Sequence, residues 1–287
     1  MQRKLHPLEG IVAVFALFFV LALSFGFAQA GEGKPVFLRS SSALVLDADT
    51  GEVVVDKNSD EITPIASITK LMTAMVILDR HLDLEQRIVI SRDDKDTIKG
   101  TRSRLRPGNV LERGELLLLA LMASENRAAA ALGRTYPGGM DAFIAAMNAK
   151  AAALGMHDSR FVDPTGLSPL NVSSARDLAK LVRAAYEYPV IRDFSTRDRA
   201  TVRVSSRGRP LTYVNTNSLV RGNRWDVDLS KTGYISEAGR CLVMRVRLAS
   251  RDLIVVLLDS WGRYSRIGDA NRIRRWVESH APGGHSS

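Results

Sequence analysis

Residues 111–131 are apolar nearly all round. A helical region of that kind belongs in a core rather than on a surface, because it has no polar stripe to show to water. The rest of the chain must therefore wrap it. Upstream, residues 43–47 and 52–56 are two β-rich runs flanking the turn signal Asp49-Thr50-Gly51, which together predict a hairpin. Residues 65–79 have helical spacing, with Ile68, Leu71, Met72, Met75 and Leu78 on one face. Residues 88–90 read as a brief strand and 91–109 as loops.

Downstream, Pro137-Gly138-Gly139 breaks the pattern before an alanine-rich helix over 140–154. Residues 161–172 form a Pro/Gly loop, and Ser173 or Ser174 caps a helix reaching about Tyr186. Strands are expected over 201–204, 211–214, 225–229, 241–249 and 253–259. A terminal helix over 269–279 turns Ile273, Trp276 and Val277 inward, and a flexible tail follows. The order is hairpin, helical block, strands, final helix. Strands from both ends of the chain should meet in one antiparallel sheet, an α+β layer architecture.

The first thirty residues set the compartment. Arg3 and Lys4 precede a 17-residue apolar run over 11–27, and Ala28-Gln29-Ala30 offers a small-residue cleavage site. Residues 1–30 are thus expected to be a secretory signal, leaving 31–287 as a single domain with short flexible ends. An uncleaved anchor is the alternative, since the run is at the short edge of spanning length. No cysteine lies near the junction, which excludes a lipoprotein. Lys and Arg number 40 against 31 Asp and Glu, a net charge of +9, which falls by one when Arg3, Lys4 and Glu9 leave. In an exported protein that charge suits an anionic extracytoplasmic polymer, and no nucleic-acid partner is expected. Cys241 is the single cysteine and sits in a predicted core strand. One thiol cannot make an internal disulfide, a zinc cage or a redox pair, and His6, His81, His157, His280 and His285 are scattered. No cofactor or metal is expected.

Three short words carry the chemistry: Ser67-Ile68-Thr69-Lys70, Ser124-Glu125-Asn126 and Lys231-Thr232-Gly233. Each of the first two would turn up by chance about once in a chain of this size, and the third in roughly one chain in twenty. Their order and setting make the set specific. Ser67 falls at the start of a predicted helix, where free N–H groups favour a developing oxyanion. Lys70 lies on the same helix face. A serine hydroxyl needs a base, and Lys70 can serve if it is neutral. Burial and a neighbouring cation such as Lys231 would both lower its pKa. Ser124 and Asn126 follow a buried run and would need partners there. Ser124 is read as a proton relay to a leaving amine, and Asn126 as a binder of a substrate amide that also orients Lys70. Glu125 is expected to point to solvent. Lys231-Thr232-Gly233 ends an alternating strand. Gly233 would let a peptide backbone approach, while Lys231 and Thr232 offer a charge and a hydroxyl to a carboxylate. The N–H of Tyr234 would complete an oxyanion hole with that of Ser67. Taken one at a time, each has a plainer reading: an N-cap, a solvated lysine, a helix end, an exposed turn.

Together the words are the signature of penicillin-binding proteins and class A β-lactamases. Residues 64–74 (PIASITKLMTA) resemble the nucleophile segment of low-molecular-mass D-alanyl-D-alanine peptidases. Residues 117–131, Tyr136-Pro137-Gly138-Gly139, 161–167 (FVDPTGL), Lys231-Thr232-Gly233-Tyr234 and 239–244 (GRCLVM) resemble the endopeptidase branch of that family, the penicillin-binding protein 7 type. The resemblance covers roughly residues 42–279.

It implies a serine β-lactamase/transpeptidase-like fold and an acyl-enzyme mechanism, with Ser67 as nucleophile, Lys70 as base and Ser124 as relay. It also implies a peptidoglycan substrate in the periplasm and covalent inhibition by penicillins. The bond cut would be the D-alanyl–diaminopimelate cross-bridge, or in a carboxypeptidase the terminal D-Ala–D-Ala. A non-catalytic murein-binding protein on the same fold is a further alternative, which three intact motifs disfavour. Class A β-lactamases carry a deacylating loop glutamate; the loop over 161–172 has Asp163 and no glutamate, so slow penicillin turnover is expected. The chain stops soon after Trp276, leaving no room for the C-terminal β-domain and amphipathic anchor of many carboxypeptidases. No stable membrane anchor is expected after cleavage.

Overall fold

The structure, a computed structural model, describes residues 36–204, 209–222 and 224–280. The expected signal over 1–30 and the tail over 281–287 lie outside the described residues.

In chain order the elements are β1 (Ser40–Asp47), β2 (Val53–Lys57), β3 (Thr63–Pro64), a 3₁₀ turn (Ala66–Ile68), α1 (Thr69–Asp79), β4 (Arg87–Val89) and β5 (Val110–Glu112). Then come α2 (Arg113–Met122), α3 (Asn126–Arg134), α4 (Gly139–Ala153), β6 (Val172–Ser173), α5 (Ala175–Tyr186) and α6 (Pro189–Thr196). The chain closes with β7 (Arg199–Val202), β8 (Leu211–Val214), β9 (Asp226–Ile235), β10 (Gly239–Leu248), β11 (Arg251–Ser260) and α7 (Ser265–Ser279).

Five strands make one antiparallel sheet in the order β2-β1-β11-β10-β9. The two chain ends do meet, with Ser42 opposite Leu258 and Leu46 opposite Ile254. Strand alternation sends successive side chains to opposite faces. Leu44, Cys241, Val243, Ile254, Val256 and Leu258 face the helical block. Ala43, Val45, Leu242, Met244, Val255 and Leu257 face α7, which contributes Ala270, Ile273 and Val277. The sheet is thus the middle of three layers, and Cys241 is a buried packing residue within it.

Two sequence expectations are corrected. Residues 231–233 do not end a strand: β9 runs on to Ile235, since Gly233 sits inside a ladder opposite Cys241. Helix α1 is not one-faced either. Every residue from Thr69 to Ile77 is buried, because α2 to α5 surround it. Its polar atoms find partners inside: Thr69 Oγ1 donates to Ala66 O (2.8 Å) and Thr73 Oγ1 to Pro164 O (2.7 Å). The apolar run over 111–131 is two helices, α2 and α3, broken at Ala123–Glu125. Helix α6, which no periodicity announced, starts with Pro189 in its first turn.

Candidate active site

The first catalytic word is held by two backbone devices. The short β3–β6 ladder pairs Pro64 with Val172, and Ile65 N–H donates to Asn171 O (3.0 Å), tying the turn to the loop over 161–172. Ala66 then adopts φ +47°, a left-handed conformation uncommon outside glycine, and Ser67 follows in the 3₁₀ turn ahead of α1. Gly166 of the facing loop is at φ +75°, and a β-carbon there would lie 1.9 Å from Ala66 O. Only glycine permits that approach.

Lys70, in the first turn of α1, is fully buried. Its Nζ lies 2.8 Å from Ser67 Oγ, 2.8 Å from Asn126 Oδ1 and 2.6 Å from Thr165 O. Burial lowers its pKa to about 7, against opposition from Asp163, Glu125 and Asp96. A neutral amine has two N–H donors and one lone pair. Asn126 Oδ1 and Thr165 O are acceptors only, so they take both donors. The lone pair is left for the Ser67 hydroxyl, which is the arrangement a general base requires.

The second word is the break between α2 and α3. Ser124 sits there at φ +57°, and its Oγ accepts from Lys231 Nζ (2.9 Å). Asn126 opens α3, and its Nδ2 donates to Thr101 Oγ1 (3.0 Å). Glu125 does not point to solvent. It is buried, caps α3 by accepting from Ala128 N–H (3.0 Å), and accepts from Ser103 Oγ. The four free N–H groups of a helix start outweigh a glutamate's preference for water here.

The third word lies on β9, the sheet edge beside the nucleophile turn. A β-carbon on Gly233 would lie 2.9 Å from Ile65 O and 3.1 Å from Ser67 N, so β9 rests directly on Ser67's backbone. Lys231 is buried, and its Nζ also donates to Thr232 O (2.8 Å). Burial pushes its pKa well down, and the charges of Lys70 and Arg266 push it the same way. Thr232 Oγ1 pairs with Thr216 Oγ1 (2.7 Å), while Tyr234 turns its side chain to solvent.

Three contributors escaped the sequence reading. The Thr165 carbonyl, held by its loop, is the first. Asp163 accepts from Thr165 N–H (2.6 Å), Gly166 N–H (2.8 Å), Ser168 N–H (3.1 Å) and Asn171 Nδ2 (3.0 Å), which occupies both carboxylate oxygens. Thr216 is the second; its flanking Asn215 and Asn217, both buried, were the only signal. Arg266 is the third, its Nη1 donating to Gly233 O (2.9 Å) and Cys241 O (3.1 Å) from α7. Nothing local marked it among so many arginines.

A family model described as D-alanyl-D-alanine carboxypeptidase, Peptidase S11, matches residues 29–261. The chain belongs to this peptidase family. Within it, the chain is 49% identical over 242 residues to a D-alanyl-D-alanine endopeptidase of Pseudomonas aeruginosa, covering 84% of this chain and 78% of the relative. It is 43% identical over 274 residues to a D-alanyl-D-alanine endopeptidase of Escherichia coli K12, covering 93% and 88%. Among solved structures, a Streptomyces K15 DD-transpeptidase superposes with a TM-score of 0.79 at 26% identity, over 85% of this chain and 98% of that one. A D-alanyl-D-alanine carboxypeptidase of Mycobacterium tuberculosis H37Rv gives 0.78 at 27%, over 88% and 96%. The fold is therefore that of the DD-transpeptidases and penicillin-binding proteins, and the α+β expectation holds. Of the eight residues singled out from the sequence, hydrogen bonds join Lys70 to Ser67 and Asn126 and Lys231 to Ser124, Gly233 rests on the Ser67 backbone, Thr232 pairs with Thr216, and the Tyr234 side chain stands in solvent.

Proposed function

We propose that the protein is a serine D,D-endopeptidase that opens D-alanyl–diaminopimelate cross-bridges of peptidoglycan through an acyl-enzyme on Ser67. The observation that carries this is the placement of the buried Lys70 Nζ, 2.8 Å from Ser67 Oγ with Asn126 Oδ1 and Thr165 O as its other partners. Lys70 takes the Ser67 proton as Oγ bonds to the D-alanyl carbonyl carbon. The oxyanion lies between the N–H groups of Ser67 and Tyr234. The carbon–nitrogen bond then breaks, and the proton that Lys70 took from Ser67 passes through Ser124, which Lys231 holds, to the departing amine, leaving Lys70 neutral again. Water, losing a proton to the same base, attacks the ester and returns Ser67 to its starting form. Asn126 and the edge of β9 hold the donor peptide, and Thr232 with Lys231 holds a carboxylate.

The endopeptidase reading rests on the relatives so named in Pseudomonas aeruginosa and Escherichia coli. The same groups would release terminal D-alanine in a carboxypeptidase. Residues 1–30 are the export signal, which makes the periplasm the site of action. Penicillins acylate Ser67, and with both Asp163 oxygens committed to the loop the adduct turns over slowly.

Digestion of defined cross-linked and uncross-linked muropeptides tests the reading. Conversion of dimers to monomers is expected. Release of D-alanine with dimers left intact would replace the endopeptidase by a carboxypeptidase.

A further inference from the structure

Asn126 can serve Lys70 only if its oxygen end faces inward. The two ends of a carboxamide are alike in size, so their partners decide which end faces which way. Oδ1 accepts from Lys70 Nζ (2.8 Å), and Nδ2 donates to Thr101 Oγ1 (3.0 Å). A threonine hydroxyl both donates and accepts, so by itself it would match either end. Thr101 has lost that freedom. Its one hydroxyl hydrogen goes to Asp96 Oδ2 (2.6 Å), which also accepts from Thr101 N–H (2.7 Å). Asp96 Oδ1 accepts from Ile98 N–H (2.8 Å) and Lys99 N–H (2.9 Å). Partial burial works to raise the Asp96 pKa, but these donors hold it below the ordinary carboxylate value, so the group stays ionised and only accepts. Lys99 then forms an ion pair with Glu237, just beyond the end of β9, so the loop that presents Thr101 is tied to the sheet as well.

With its hydrogen committed, Thr101 Oγ1 can only accept from Asn126. A reversed Asn126 would set Oδ1 against an oxygen with no hydrogen left to give. It would also turn Nδ2 toward Lys70 Nζ, where it would claim the lone pair that Ser67 needs. We infer that Asp96 and Thr101 are positioning residues of the catalytic centre: ionised Asp96 takes the Thr101 hydrogen, Thr101 therefore accepts from Asn126 Nδ2, and the Asn126 oxygen is held toward Lys70. Neither residue touches the reacting atoms. The arrangement would serve a carboxypeptidase as well as an endopeptidase, and it rests on Lys70 as the base of the proposed mechanism.

The test follows the rate of acylation by fluorescent penicillin from about pH 5.5 to 8.5. Wild type is compared with Thr101→Val, Thr101→Ser, Asp96→Asn and the Asp96→Asn/Thr101→Val double variant. Thr101 is exposed and valine keeps its branched shape, so the core is undisturbed. The charged groups around Lys70 are Asp163, Glu125 and Asp96, with Lys231 on β9, and Thr101→Val changes none of them. Its plateau rate should fall about tenfold, the worth of one directed hydrogen bond. Its midpoint should move below that of wild type, because Nδ2 turned toward Lys70 favours the neutral amine. Thr101→Ser should restore both. Were Thr101 merely holding the loop in place, its loss would let water reach Lys70 and move the midpoint up instead. Because the two residues act in series, Asp96→Asn should cost less of the plateau in the Thr101→Val background than in wild type. An unmoved profile in Thr101→Val, a midpoint that rises, Thr101→Ser as slow as Thr101→Val, or fully additive losses would overturn the positioning. A flat profile in wild type would remove Lys70 as the base, and the positioning with it.

Discussion

At the scale of single residues, two buried lysines share one site. Lys70 and Lys231 are both enclosed, and burial lowers the pKa of each. Lys70 loses its proton near pH 7, and only the neutral form has a lone pair for Ser67. The fraction of competent enzyme therefore rises as pH climbs through about 7. The rate of acylation by penicillin, measured from pH 5.5 to 8.5, should rise across that range and level off above it. A flat profile would remove Lys70 as the base. Lys70→Ala should slow acylation by roughly 10³-fold, the usual worth of a general base. The pairing of Ser67 with Lys70 was legible because three residues on a helix put both on one face. The Thr165 carbonyl that completes the arrangement was not. It comes from nearly a hundred positions away, and a backbone oxygen leaves no mark in a residue pattern.

At the scale of elements, the site lies where regular structure is interrupted. Ser67 follows a left-handed Ala66, and Ser124 is itself left-handed at the break between α2 and α3. The apolar pattern over 111–131 located the buried helices but not this break, because the pattern is the same on both sides of it. Glu125 was misread for a related reason: a glutamate beside an apolar run looks solvated until the helix start needing a cap is seen. The loop against the nucleophile turn makes the sharpest structural prediction. Gly166→Ala would place a methyl group on Ala66 O and force a side chain onto φ +75°. Urea unfolding should show a loss of roughly 3 kcal/mol. An unchanged midpoint would mean that the loop and the nucleophile turn are not in contact.

At the scale of the whole molecule, the chain ends close the sheet through β1 and β11, so the site on β9 depends on strands from both termini. That topology was readable from the strong C-terminal strand pair and the N-terminal hairpin. The terminal helix with Ile273 and Val277 inward was legible too, but which face of the sheet it covers was not, because a one-sided apolar pattern does not name its partner. The net charge of +9 belongs to this scale as well. If it draws the enzyme to an anionic wall, binding of the Ser67→Ala protein to isolated sacculi should weaken as salt is raised from about 0.05 to 0.5 M. Binding that ignores salt would leave the charge without that role. The central claim, an acyl-enzyme on Ser67, is tested most directly by peptide mass mapping after exposure to benzylpenicillin. The account predicts a single penicilloyl adduct on the peptide containing Ser67, persisting through removal of free drug and absent from Ser67→Ala. An adduct on another residue, or one retained in Ser67→Ala, would contradict it.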